Sequence, residues 1–260
     1  MIRAFALRTA ALAGALAATA LLAACGGQQA APVSDFKPVP VSPVIGDVPL
    51  GSPDAPVTLV EYAALTCHVC RDFAKQVLPR IKREYIDTGK VRYIYRDYPL
   101  ESGPDGKATD GFGVVLASIA RCKGADKFHE LVDAMFAAQA DVLDAARDGK
   151  AAGVLTSFAT QHGMTEAEMY TCIDHQPELK ASIKKSRDEG SEKGVRGTPG
   201  IFLNDEMLVD TIPNWENVSA AIEAKLAGQP LPKPGAPADA SAVSTPAAPA
   251  TPAATTPPAQ

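Results

Sequence analysis

Cys67-His68-Val69-Cys70 concentrates more reactive chemistry than any other stretch of this chain. Two thiols separated by two residues can close and reopen a disulfide, or supply half of a zinc site. Which of these they do depends on what carries them. A thiol in the first turn of a helix faces unpaired N–H groups and the positive end of the helix dipole, and is stabilised there as the attacking thiolate. A thiol three residues later lies one turn deeper on the same side and can resolve the first. On this reading Cys67 is the nucleophile and Cys70 the resolving, more buried partner.

The flanking elements supply such a helix. Val57-Thr58-Leu59-Val60-Glu61-Tyr62 is a β-rich run bounded by Pro56 and by the turn residues Ser52-Pro53-Asp54, which predicts a strand. After Ala63-Ala64-Leu65-Thr66, the residues Cys70, Phe73, Ala74, Val77, Leu78, Ile81 and Tyr85 recur at three- and four-residue steps, the apolar face of a helix. Thr66 is the expected N-cap, and Pro79 is expected to kink the helix rather than end it. A second strand, Val91–Arg96, follows a turn at Gly89. Residues 104–194 lack strand alternation and read as several helices punctuated at Gly124, Gly149, Gly163 and Pro177, one opening at Thr165-Glu166-Ala167-Glu168. The Phe128, Leu131, Val132, Met135, Phe136 face is expected to be core. Gly197–Asn204, a turn at Asn204-Asp205-Glu206, a strand at Met207-Leu208-Val209 and a helix over Trp215–Leu226 complete the order: βαβ, a long helical interruption, then ββα.

The amino terminus reads as an address. Arg3 and Arg8 precede an apolar stretch, Thr9–Ala24, too short to span a bilayer, which describes a secretory signal peptide over residues 1–24. Leu22-Ala23-Ala24-Cys25 resembles the lipobox of bacterial lipoproteins, in which the Cys is lipidated. Residues 25–49 are Pro-rich and read as an extended tether. Residues 50–227 form the folded domain. Residues 228–260 are dominated by Pro and Ala with only Lys233 and Asp239 charged, and are expected to be disordered. The chain carries a net charge of −5. Loss of Arg3 and Arg8 with the signal makes it more acidic, which argues against nucleic acid as a partner.

The chain has five cysteines, an odd number for a secreted protein. Lipidation of Cys25 leaves Cys67, Cys70, Cys122 and Cys172, which allow three pairings that spacing does not decide between. A zinc site of four cysteines ordinarily uses a second close pair, which Cys122 and Cys172 do not form. His129, His162 and His175 have no ligand spacing and read as surface or capping residues. No metal or cofactor is expected.

Taken together, the strand with its C-x-x-C helix, Tyr95-Arg96-Asp97-Tyr98-Pro99-Leu100, the helical insertion and Arg196-Gly197-Thr198-Pro199 before a hairpin resemble the DsbA-type thiol–disulfide oxidoreductases of the bacterial envelope. The resemblance spans roughly residues 50–227. It implies an α/β architecture: a thioredoxin fold with a helical domain inserted between the βαβ and ββα halves. It implies that Pro199 is a cis-proline beside the active disulfide and that Thr198 lends backbone hydrogen bonds to an extended substrate. Glu61 would be the buried acid that moves a proton to or from Cys70. The resemblance also implies a second disulfide, Cys122–Cys172, in the helical domain.

The implied function is that of a lipid-anchored, periplasm-facing enzyme donating its Cys67–Cys70 disulfide to secreted proteins and reoxidised by a quinone-linked membrane oxidase. The alternatives are an isomerase or reductase kept reduced, and a non-enzymatic lipoprotein that binds metal or tethers a partner. Isomerases of this superfamily dimerise through a separate N-terminal domain, so the short segment before residue 50 favours a monomeric oxidase. The sequence departs from the family at the dipeptide between the cysteines, ordinarily Pro-His. Here His68 takes the first slot, and Val69 can neither donate a hydrogen bond nor carry charge. The expectation is a Cys67 pKa of about 5–6.5, between about 3.5 for DsbA and about 7 for thioredoxin. That corresponds to a potential roughly 60–90 mV below that of DsbA.

Overall fold

The computed structural model describes residues 36–100, 111–208 and 213–232. The expected signal peptide, the lipobox-like segment with Cys25 and the tail beyond residue 232 lie outside the described residues, as does Val209.

Strand β1 (Val57–Ala63) is central because both faces and both edges are covered. It pairs in parallel with β2 (Val91–Asp97) and antiparallel with β3 (Gly200–Leu203), which pairs with β4 (Glu206–Met207), giving the order β2-β1-β3-β4. The hairpin turns on Asn204 and Asp205 alone, both at positive φ (48° and 65°), as a two-residue turn matched to strand twist requires. Glu206 therefore belongs to the strand rather than to the turn.

The C-x-x-C helix is assembled from short pieces. These are α1 (His68–Asp72), a π-helical turn (Phe73–Val77), α2 (Leu78–Ile81) and a second π-helical turn (Lys82–Ile86). Pro79 occupies the opening turn of α2, where its missing N–H costs little. The expected interruption therefore takes the form of a π-turn just before it. Cys70, Phe73, Val77, Ile81 and Tyr85 are all buried.

The insertion comprises α3 (Phe112–Arg121), α4 (Ala125–Arg147), α5 (Ala151–Gln161), α6 (Glu166–Asp174) and α7 (Pro177–Glu192). Helix α6 opens with a capping box in which Thr165 and Glu168 satisfy each other's backbone N–H. A disulfide joins Cys122 and Cys172, with Cα atoms 5.8 Å apart. Cys172 lies inside α6 and Cys122 caps the C-terminus of α3 instead of lying within it. The Phe128–Phe136 face of α4 is buried in one cluster with Leu59, Tyr93 and Tyr95 of the sheet and with Val218, Ala221 and Ile222 of α8 (Trp215–Leu226). On the opposite sheet face, Gly190 of α7 lies so close to Tyr62 that a Cβ there would come within 2.8 Å of its ring. Only glycine permits that approach.

From Pro38 onward the Pro-rich run before the domain belongs to the compact unit rather than forming a free tether. Its backbone groups find fixed partners. Val44 N–H donates to Arg121 O (2.9 Å), and Leu50 exchanges two hydrogen bonds with Tyr93. Asp47 forms a two-pronged ion pair with Arg96. Arg121 in turn is buried against Asp97 at 2.5 Å and donates to Gly46 O at 2.7 Å.

Candidate active site

Strand β1 ends at Ala63, and the chain turns through Ala64-Leu65-Thr66 to deliver Cys67 at the N-terminus of α1. The N-cap is Cys67 itself, not Thr66. Its backbone is extended (φ −87°, ψ 121°), and its sulfur accepts the Cys70 N–H at 3.3 Å. The thiol thus occupies the place that a Ser or Asp oxygen ordinarily fills. Its own N–H donates to Ala64 O and its carbonyl accepts Arg71 N–H. Cys67 keeps 7% of its surface exposed and Cys70 none, so an incoming substrate can reach only the first sulfur.

The second wall of the site is the loop before β3. The Thr198–Pro199 bond is cis, and the Thr198 carbonyl accepts a hydrogen bond from the Cys67 thiol at 3.3 Å. The Thr198 hydroxyl is buried without a partner at hydrogen-bond distance.

Burial and hydrogen bonding push the two thiols in opposite directions. Cys67 is lowered from its ordinary value to about 5, first by the hydrogen bond from the Cys70 thiol. Burial opposes this, while the Thr198 side chain, its hydroxyl otherwise unpartnered, and the N–H groups of Cys70 and Val69 add to it. Cys70 is pushed strongly up, first by burial, then by its bond to Cys67 and by the charge of Glu61.

Glu61 lies on the same face of β1, fully buried rather than facing solvent. Tyr93 on the neighbouring strand donates its hydroxyl to Glu61 Oε2 at 2.6 Å, and Oε1 has no partner. Burial raises this carboxyl to about 8, against the downward pull of the Tyr93 hydrogen bond. At neutral pH the site therefore pairs an ionised Cys67 with a protonated Glu61.

His68 opens α1 on its exposed side. His129 bonds the Val48 carbonyl through Nε2 at 2.7 Å, and its pKa is lowered chiefly by burial. His162 and His175 cap the C-termini of α5 and α6. Among the described residues no cluster of His, Cys, Asp and Glu side chains could hold a metal ion.

Two residues of the site escape a reading of motifs. Tyr93 is one. Gln139 of α4 is the other: it is buried, and its side-chain amide donates to Leu65 O at 2.8 Å and to Cys67 O at 3.0 Å. The available signal was a polar residue on the apolar stripe that runs from Phe128 through Phe136 to Val142.

A thioredoxin family model, described as Thioredoxin, matches residues 44–224. A "Probable disulfide bond formation protein D" of Bacillus anthracis is 27% identical over 177 residues, covering 68% of this chain and 77% of that protein. The alpha-DsbA1 structure from Wolbachia pipientis superposes with a TM-score of 0.59 at 23% identity, covering 72% of this chain and 94% of that one. A protein-disulfide isomerase structure from Novosphingobium aromaticivorans superposes at 0.61 and 22%, covering 70% and 98%. The cysteine pair at a helix N-terminus, the cis-proline loop facing it and a family match over most of the folded residues agree: the chain belongs to the thioredoxin family, in its form with a helical insertion.

Proposed function

We propose that this thiol–disulfide oxidoreductase works as an oxidant, passing its Cys67–Cys70 disulfide to secreted or envelope proteins. The observation that carries the reading is the opposed pair of thiols, Cys67 lowered to about 5 and Cys70 raised. A stabilised Cys67 thiolate stabilises the reduced enzyme, and so makes its disulfide the stronger oxidant.

In the forward reaction a substrate thiolate attacks Cys67 Sγ. The Cys67–Cys70 bond breaks, and its electron pair leaves on Cys70, which takes the proton of Glu61. A second substrate thiolate then attacks the substrate sulfur of the mixed disulfide and releases Cys67 as thiolate. The substrate is oxidised by two electrons and the enzyme reduced by two. Thr198 and Pro199 line the entry to Cys67, where the backbone of Thr198 pairs with an extended substrate segment.

The cellular setting belongs to the same proposal. A signal peptide over residues 1–24 exports the chain, a lipid on Cys25 anchors it facing the periplasm, and residues 228–260 remain a disordered tail. The enzyme acts as a monomer, and a quinone-linked membrane oxidase restores its disulfide. No helix among the described residues is long and apolar enough to cross a membrane.

The test is direction. Thiol trapping in growing cells should find Cys67 and Cys70 oxidised, and the purified disulfide form should drive oxidative refolding of a reduced substrate. A pair held reduced in cells would instead make the protein an isomerase or reductase. Activity in neither refolding nor insulin reduction would favour a tethering lipoprotein.

A further inference from the structure

We propose that Gln139 is a positioning residue for the reactive thiol, holding Cys67 in the cap geometry that makes its sulfur a stable thiolate. The proposal rests on the reading of Cys67 as the attacking residue. Gln139 occupies a core position of α4: Met135 and Phe136 precede it by one turn, Val142 follows it, and all are buried with it. An apolar side chain would serve the core there, since a buried amide is tolerated only when its hydrogens are used. Among the described residues, Gln139 uses its amide hydrogens on the backbone of the active-site turn, at Leu65 O and Cys67 O.

Those two carbonyls bracket the residues whose torsions aim the sulfur. Leu65 C=O belongs to the peptide before Thr66, and Cys67 C=O to the peptide after Cys67. Clamping both fixes the extended backbone of Cys67 (φ −87°, ψ 121°) that turns its sulfur onto the Cys70 N–H. Without the clamp, the turn keeps the Cys67 N–H bond to Ala64 O and the Arg71 N–H bond to Cys67 O, neither of which reaches the Leu65 carbonyl. The carbonyl of Leu65 would then be buried unpaired, and the turn would relax toward another partner or water. The sulfur would lose part of the N–H contact that holds its charge. Because α4 belongs to the insertion, the clamp also ties the helical domain to the chemistry of the thioredoxin half.

The test replaces Gln139 by Met, which keeps its length and flexibility but has no donor. Cys67 is titrated by thiolate absorbance, and the glutathione equilibrium is measured alongside. The expected result is a Cys67 pKa higher by about one unit and a redox equilibrium shifted about tenfold toward the disulfide. A lower melting temperature with an unmoved titration would assign Gln139 to packing alone and overturn the proposal. A wild-type Cys67 that titrates like a free thiol would defeat the reading of Cys67 instead, so the two failures are distinct. Should Gln139→Met not fold, the wild-type protein decides: the side-chain amide signals of Gln139 should follow the Cys67 titration in nitrogen-resolved spectra. Signals unmoved through that titration overturn the clamp.

Discussion

The Tyr93 hydroxyl reaches across from β2 to Glu61 Oε2 at 2.6 Å, while Oε1 of the same carboxyl is buried with no partner. Glu61 thus sits behind the reactive thiols half-satisfied, held by one neutral donor and, among the described residues, by no cation. A carboxylate so placed is costly, and the neutral acid is the form the fold favours.

That preference sets a pH dependence. The folded carboxyl is raised from 4.5 to about 8, so between those values the folded chain keeps a proton that the unfolded chain has lost. The contribution is fully present below pH 4.5 and is lost as pH rises through 8, a change on the order of 5 kcal/mol. Denaturant titrations of the disulfide form from pH 4 to 9 should show this decline, and Glu61→Gln should flatten it. Tyr93→Phe removes the bond that pulls the carboxyl down, so it should move the end of the decline above pH 8. A Glu61→Gln curve parallel to wild type would defeat the argument.

The reduced form should behave differently, because Cys67 then titrates with the opposite sign. A thiol lowered to about 5 contributes stability that is full above the free-thiol value and is lost as pH falls through 5. Between pH 5 and 8 this gain opposes the loss from Glu61. The reduced protein should therefore show a flatter curve than the oxidised one. Its melting temperature relative to the disulfide form should climb across that window, and a constant gap between the two forms would contradict the assignment.

The two sulfurs should also separate by function. Cys70→Ser leaves the accessible attacking thiolate with no resolving partner, so mixed disulfides should accumulate through Cys67. Cys67→Ser leaves a thiol that is fully buried and strongly raised, and should trap little. Equal trapping by both variants, seen on non-reducing gels with peptide mapping, would reverse or void the roles.

What the sequence made legible is what local pattern controls. The C-x-x-C spacing, the Trp215–Leu226 helix and the helix start at Thr165–Glu168 are all written in adjacent residues. Thr66 and Cys67 show where local pattern fails by one position: both can cap, and the Cys70 N–H that chooses between them depends on the path of the whole turn. Pro-rich composition predicts an extended tether before residue 50. It carried no sign that Val44 and Leu50 would pair with Arg121 and Tyr93, residues more than 40 positions away. Gln139 was visible as a polar break in an apolar stripe, but its partners are backbone carbonyls, which no side-chain motif records.

The second disulfide can be tested apart from the first. Cys122–Cys172 closes a span of 50 residues, worth about 4 kcal/mol in the chain-entropy account. Paired replacement by Ser should lower unfolding stability by roughly that amount. The Cys67 titration should stay in place, since the bridge joins α3 to α6, whereas the hydrogen bonds to the active-site turn come from Gln139 of α4. A shifted Cys67 pKa would mean that the insertion couples to the thiol through more than Gln139.

Val69 offers the sharpest test of redox strength. It is the second residue of α1 and half-buried against the core, and it helps the Cys67 sulfur only through its backbone N–H. Helix terminus, Cys70 and Thr198 together bring the thiol to about 5, at the lower edge of the range expected from the dipeptide. That lies about 1.5 units above the DsbA example, a difference of roughly 45 mV toward a milder oxidant. Val69→His places a second imidazole beside the sulfur, one that can donate a hydrogen bond or carry a positive charge as the thiolate forms. It should lower the Cys67 pKa by about one unit and raise the potential by about 30 mV. Thiolate absorbance and glutathione equilibration measure the two shifts independently, and they must move together. A potential that rises with no fall in pKa would show that Val69 acts through packing of the disulfide form, and an unchanged pair would show that the backbone N–H groups already saturate the sulfur.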